Sequence, residues 1–312
     1  MQLRPIAVFL VFVAIFFALD RTLAFGLSRI YTRLETGAQA GASNYALKQT
    51  DAEVVVFGSS RAVYHVDPEI LSEGLGLNAF NAGLPGQGIQ YARGIEALLL
   101  RRGSQARLFV LHVNPENLWD SDTARIARLA PYYGEDPALD ALLNATSPSA
   151  RFKYAIRTFR YNSLVFPMLG SLLRGGEEIG NGFRSMPPDR PQDLRPHDAG
   201  GGVDPGPIDP AMSDVYADFI DAARARGIEV VLVDGPRWRP QGMDAMTKIG
   251  HAHLRELAAR HGAAFIAIDE FTNPVFLDPD YFADVAHLNH AGATLYSEFL
   301  VEKLKVIVDR RG

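Results

Sequence analysis

Residues 53–61 read Glu53-Val-Val-Val-Phe57-Gly58-Ser59-Ser60-Arg61. A β-branched run closed by an aromatic residue has the composition of a buried strand, and Gly58 breaks it into a sharp turn carrying two serines toward a helix. A strand apolar at successive positions fits a parallel sheet covered on both faces. Working outward, the same pattern returns at residues 77–82 (LNAFNA), 108–113 (LFVLHV), 228–234 (IEVVLVD) and 263–269 (AAFIAID), which predict four further strands. Apolar residues at helical spacing over 89–102 and 242–261, and a closing helix over 291–308, alternate with them. Strands alternating with helices form right-handed βαβ units, so the expected fold class is α/β with a parallel sheet. In such sheets reactive groups gather at the carboxyl ends of the strands, which is where Ser60 falls.

Composition narrows the function. The 312 residues carry 31 Lys and Arg against 36 Asp and Glu, a net charge of −5, and no basic block suited to tracking a phosphate backbone. Nucleic acid is therefore not an expected partner. The absence of cysteine removes thiol nucleophiles, thiolate metal sites and disulfides at once.

The amino terminus points to a membrane. After Arg4, residues 6–19 (IAVFLVFVAIFFAL) run apolar without a charge up to Asp20-Arg21, and a weaker apolar stretch continues to Leu27. Its length fits either a cleaved signal, with Thr22-Leu23-Ala24 as the cleavage region, or an anchor. We read residues 1–27 as an uncleaved signal-anchor that leaves the body of the protein outside the cytoplasm. Residues 28–50, polar and rich in Gly, Ala and Ser, read as a tether, and 51–312 as the α/β domain. Within that domain, residues 120–210 contain helical pieces over 151–173 and then a Gly/Pro-rich stretch without a strand, so they read as an insertion, either a lid or a partner surface.

Chemistry-bearing residues stand at four places. Asp284-Val-Ala-His287 precedes the closing helix, and a carboxylate three residues ahead of a histidine in a turn can hold the Nδ1 hydrogen, leaving Nε2 as a general base. Ser60 offers a hydroxyl at a strand-to-helix turn whose amides face a developing oxyanion. Asn81-Ala-Gly83-Leu-Pro-Gly86, after the second strand, brings a glycine amide, from Gly83 or Gly86, toward the same point, and Asn114 adds a side-chain amide at the end of the third. Asn289 is placed to cap the closing helix. Arg61, Trp238 and Arg239 are expected to line a substrate pocket, the tryptophan by stacking on a sugar; His65 and Trp119 lie near the same edge. Asp284, His287 and His290 have the spacing of a metal site but lack a further clustered ligand, so no metal and no cofactor is expected. His251 and His253 are expected on a helix surface.

These blocks, in this order, make the chain resemble the SGNH (GDSL-type) hydrolase superfamily. Gly58-Ser59-Ser60 is similar to the first block, with Ser59 where an aspartate is usual; Asn81 to Gly86 to the second, favouring Gly86 over Gly83; His112-Val-Asn114 to the third through its asparagine alone; and Asp284-x-x-His287-Leu-Asn-x-x-Gly292 to the last. With the amino-terminal anchor, the departures resemble the membrane-tethered branch associated with O-acetylation of envelope polysaccharides. The resemblance implies a three-layer flavodoxin-like SGNH hydrolase fold and a Ser60-Asp284-His287 triad, with an oxyanion hole from the Ser60 and Gly86 amides and Asn114. It also implies ester hydrolysis or acyl transfer on an acylated glycan or small ester, and a membrane-bound O-acyltransferase as partner. The rival reading is a non-catalytic protein that uses this fold to bind glycan or to scaffold a membrane acyltransferase complex.

Overall fold

The structure, a computed structural model, describes residues 3–37, 41–119, 123–186, 194, 205–268 and 273–309. Five strands, β1 Val54–Phe57, β2 Ala79–Asn81, β3 Leu108–His112, β4 Glu229–Asp234 and β5 Ala264–Ala267, form one parallel sheet. Their order, β2-β1-β3-β4-β5, is that of a flavodoxin-like doubly wound sheet. The helices are α1 Leu3–Tyr31, α2 Ala42–Ala46, α3 Ser60–His65, α4 Pro68–Leu75, α5 Ile89–Arg101, α6 Pro137–Ala145, α7 Ala150–Ala155, α8 Val165–Arg174, α9 Pro210–Arg224, α10 Ala245–Arg260 and α11 His290–Val308.

The residues group into two compact units. One comprises Met1–Tyr45 and Ile126–Ile179, the other Ala46–Arg125 and Gly180–Gly312. The second holds the sheet. Period-two alternation explains why β1 is buried throughout. Val54 and Val56 point into a core shared with Leu71 of α4 and Leu300 and Leu304 of α11. On the opposite face Phe57 meets Phe109 and Phe219 edge to face, at 4.9 and 5.2 Å. All five strands run parallel, so their carboxyl ends lie at one edge, and the turns after β1, β2, β3 and β4 open there.

The sequence pattern missed α4 and α9. Both start from an aspartate cap with proline in the first turn, Asp67-Pro68 and Asp209-Pro210, whose carboxylates accept from Glu69 and Ala211 amides at 2.9 Å. Asp269, expected to end the fifth strand, lies outside the described residues.

In the first unit, α1 runs on to Tyr31, past the boundary expected at 27. Its 29 residues, about 44 Å at 1.5 Å per residue, make it long and apolar enough to cross a membrane. The segment expected as a tether is packed in part. Tyr31 is 1% exposed and meets Tyr132 and Tyr161 edge to face, and the buried Asn44 donates to the Tyr31 and Leu34 carbonyls, satisfying backbone groups that a free tether would leave to water. Part of the expected insertion, residues 126–179, belongs to this unit with α6, α7, α8 and a 3₁₀ turn at Thr158–Tyr161. Asp20 is buried. It pairs with Arg21 and accepts from the Arg157 and Thr158 amides and the Thr158 hydroxyl at 2.7–3.0 Å.

Candidate active site

Gly58 follows β1 with φ +145°, a region that side chains rarely enter, and a Cβ there would lie 2.7 Å from the His112 carbonyl oxygen. The chain therefore turns abruptly, and Ser60 opens α3 at the carboxyl edge of the sheet. Its Oγ lies 2.8 Å from His287 Nε2, although 227 residues separate the two. On the other side of the ring, Nδ1 lies 2.9 and 3.0 Å from the two Asp284 carboxylate oxygens. Asp284 Oδ1 also accepts from the Ala286 and His287 amides, at 2.8 and 2.9 Å, so the carboxylate holds both the ring and the loop that presents it. Burial tends to raise the Asp284 pKa, but the hydrogen bonds from His287 and Ala286 outweigh it and leave the group below its usual value. An ionised carboxylate on Nδ1 fixes the proton there and leaves Nε2 to accept from the serine hydroxyl.

Ser59 and Asn114 form the next layer. Asn114 Nδ2 donates to Ser59 Oγ at 2.8 Å, while its Oδ1 accepts from Arg61 Nε and Nη2 at 3.1 and 2.5 Å. The amide is thereby oriented, with one Nδ2 hydrogen engaged and the second not required by this network. Of the two candidate glycines, Gly83 has its amide bonded to Asn81 Oδ1 at 3.0 Å; Asn81 in turn donates to the Ala62 and Val66 carbonyls and pins α3. Gly86 sits in a turn with φ +75°, and its amide donates to no backbone acceptor among the described residues. The loop carrying it is tied to the serine turn by the Leu84 amide on the Gly58 carbonyl, at 3.0 Å.

Arg61 is placed differently from the expectation of a substrate contact. It is 4% exposed, and its guanidinium is spent on Asn114, on the Val113 carbonyl and on Asp234 Oδ1 at 2.5 Å. The physical reason is that it lies in the first turn of a short helix whose side faces the interior, where a guanidinium needs a carboxylate. Burial would raise the Asp234 pKa, but Arg61, His251 and Arg237 hold it well below the usual carboxylate range. His251, expected at the surface, is 6% exposed and meets Asp234 Oδ2 at 2.7 Å, because its helix turns that face toward the sheet. His253 is half-buried, with Nε2 2.8 Å from Ser213 Oγ.

Trp238 packs its ring against Phe282, 5.8 Å between centroids, and is half-buried on the core, while its amide donates to the Val285 carbonyl at 3.0 Å. It thus braces the loop that carries Asp284 and His287. Arg239 is half-buried one residue on. Trp119 donates its indole N–H to the Gly206 carbonyl at 3.0 Å. Asn289 caps α11 through the Gly292 amide at 3.0 Å, and His290 lies exposed at the start of that helix. Among the described residues no group of three or more His, Asp or Glu could hold a metal.

His65, expected near this edge, and His112, from the third block, stand directly behind Ser60 and His287. His65, fully buried, accepts from the Leu288 amide through Nε2 at 3.1 Å, and its ring sits 6.2 Å from that of His287. His112 lies 5.7 Å further on. Burial, reinforced by His112 and Arg61, pushes the His65 pKa well below its ordinary value; burial and Arg61 likewise push His112 down to about 3. Gly235 makes room for both rings, since a Cβ there would lie 2.8 Å from His112 Nε2. The pairing of His65 with the residue after His287 could have been sought from its place at the end of α3.

No protein-family model matches the chain, and no curated protein matches it. Among solved structures it is similar to a candidate acylhydrolase from Bacteroides fragilis NCTC 9343, at 15% identity over 85% of this chain and 95% of that one, with a TM-score of 0.41.

Proposed function

We propose that this chain is a serine-dependent acyl ester hydrolase or O-acyltransferase. The observation that supports this reading is the relay Ser60 Oγ, His287 Nε2, His287 Nδ1, Asp284, whose links are all 2.8–3.0 Å. His287 accepts the Ser60 proton as Oγ bonds to the ester carbonyl carbon, and the electron pair of the C=O bond moves to oxygen. The oxyanion is held by the Ser60 and Gly86 amides and the second Nδ2 hydrogen of Asn114. Collapse breaks the ester C–O bond, His287 returns the proton to the leaving alcohol, and an acyl-Ser60 remains. Water or a sugar hydroxyl, deprotonated by His287, then attacks the acyl carbon, the bond to Ser60 Oγ breaks, and His287 returns the proton to Oγ.

Within this reading α1 anchors the chain in a membrane, the α/β unit works outside the cytoplasm, and the substrate is an acylated envelope glycan. A membrane-bound O-acyltransferase would supply the acyl group. Arg61 acts by orienting Asn114, and Trp238 by holding the His287 loop. The test compares the full chain in detergent with Ser60→Ala on 4-nitrophenyl acetate and on acetylated polysaccharide. Wild type is expected to release acetate and the variant to fall to the background rate. Equal release by both would overturn the assignment, and inactivity of both would favour the scaffold reading.

A further inference from the structure

The unit containing α1 shows two features that the proposed chemistry does not use. The first is α8, which buries Met168 and leaves Phe166, Leu169, Leu172 and Leu173 at 83, 48, 52 and 83% exposed. Phe152 of α7, in the same unit, is 63% exposed. The second is a cavity of about 170 Å³ lined by Ala24, Phe25 and Ser28 of α1 together with Pro131, Arg157, Arg160 and Tyr161. Arg160 spends its hydrogen bonds on the neutral Tyr154 and Tyr133 carbonyls, and the Arg157 side chain makes no ion pair among the described residues. Residues 147–176 contain five Lys and Arg and no Asp or Glu.

We propose that this unit is a seat for an anionic bilayer surface, with the Arg157/Arg160 cavity receiving a lipid phosphate and the apolar face of α8 lying in the headgroup boundary. An exposed apolar helix face in a unit that also carries a basic segment is the pattern of an interfacial helix, drawn to anionic lipid and held by apolar burial. The level is set by Asp20. This residue ends the uninterrupted apolar run of α1 and is bonded to Arg157 and Thr158, so the basic segment is fixed where α1 would leave the hydrocarbon. The proposal rests on α1 spanning the membrane but assigns a second, independent contact.

The chain has no cysteine, so single labels report cleanly. The full chain is reconstituted in phosphatidylcholine vesicles with or without phosphatidylglycerol, carrying an environment-sensitive fluorophore on Leu173→Cys or, as the control for α1, on Phe12→Cys. In phosphatidylglycerol vesicles the label at position 173 is expected to shift to the blue, to be quenched by nitroxide lipid and to resist iodide. Without phosphatidylglycerol, or with Arg157→Gln, it is expected to return toward iodide access. Iodide access at 173 with position 12 in lipid overturns the α8 contact alone; iodide access at both overturns the membrane reading of α1 as well. Shielding of 173 from both quenchers means that protein covers the face and overturns the proposal. Signals indifferent to phosphatidylglycerol overturn the role of the arginine cavity.

Discussion

Arg61 Nη1 stands 2.5 Å from Asp234 Oδ1, with the two side chains only 5% and 2% exposed, so the residue after the proposed nucleophile is anchored beneath the site by a buried ion pair. Removing one member of such a pair leaves the other charge buried without compensation, at a cost of about 3–5 kcal/mol. Asp234→Asn is expected to lower the unfolding free energy by that amount, read by urea denaturation. A change within measurement error would show that the pair does not hold the turn.

Asn114 links this pair to the reaction. Truncation to Ala removes a proposed oxyanion donor and releases both Arg61 and Ser59, and loss of one such donor costs about 10²–10³ in kcat. Asn114→Ala should lose activity on that scale with KM little changed. A rise in KM at constant kcat would move Asn114 from transition-state stabilisation to ground-state binding.

The elements that set the sheet were readable because each strand is a short apolar run ended by a turn residue, and the β1 register leaves no polar position to misplace. Ser60 and His287 were pointed to by the order of the four blocks and the resemblance they carry rather than by the strand pattern, and their reactive atoms lie 2.8 Å apart. Arg61 and His251 were not readable in that way. A charged residue beside a nucleophile suggests substrate, and two histidines in helical sequence suggest solvent; only the position of Asp234 at the end of β4, between them in space, turns both inward. The packing of residues 28–45 was hidden for a similar reason, because the partners of Tyr31, Tyr132 and Tyr161, lie far along the chain.

His65 is expected to act as a positioning residue. His65→Phe leaves the buried Leu288 amide without its acceptor, worth about 1–3 kcal/mol, and loosens the backbone beside His287. kcat should fall while KM holds, and His65→Gln, whose Oε1 can accept the same amide, should recover part of the loss. Equal activity in both variants and wild type would make the contact incidental.

Acid should weaken the fold through the buried imidazoles. A histidine whose folded pKa is depressed binds its proton more readily in the unfolded chain, so its stabilising contribution is complete above about 6.5 and declines as pH falls toward the folded value, about 3 for His112. Each such group adds up to about 1.4 kcal/mol per pH unit to the slope. Chemical denaturation between pH 7 and pH 5, on the order of the range in which histidine titrates, should show a shallower decline for His112→Gln than for wild type. Parallel slopes would mean that His112 is charged in the fold.

Gly58→Ala probes the turn that aims the serine. With φ at +145° and the new Cβ 2.7 Å from a carbonyl oxygen, the substitution forces the backbone to move. A strain of about 1–3 kcal/mol and loss of activity are expected together, and retained activity at full stability would show that the serine does not depend on this geometry.

The central claim is that Ser60 is a nucleophile activated by His287. Intact-mass spectrometry after treatment with a fluorophosphonate measures this directly: wild type should gain one adduct, mapped to Ser60, with Ser60→Ala inert and His287→Ala slowed by orders of magnitude. An unmodified wild type, or an adduct that persists in Ser60→Ala, would contradict it.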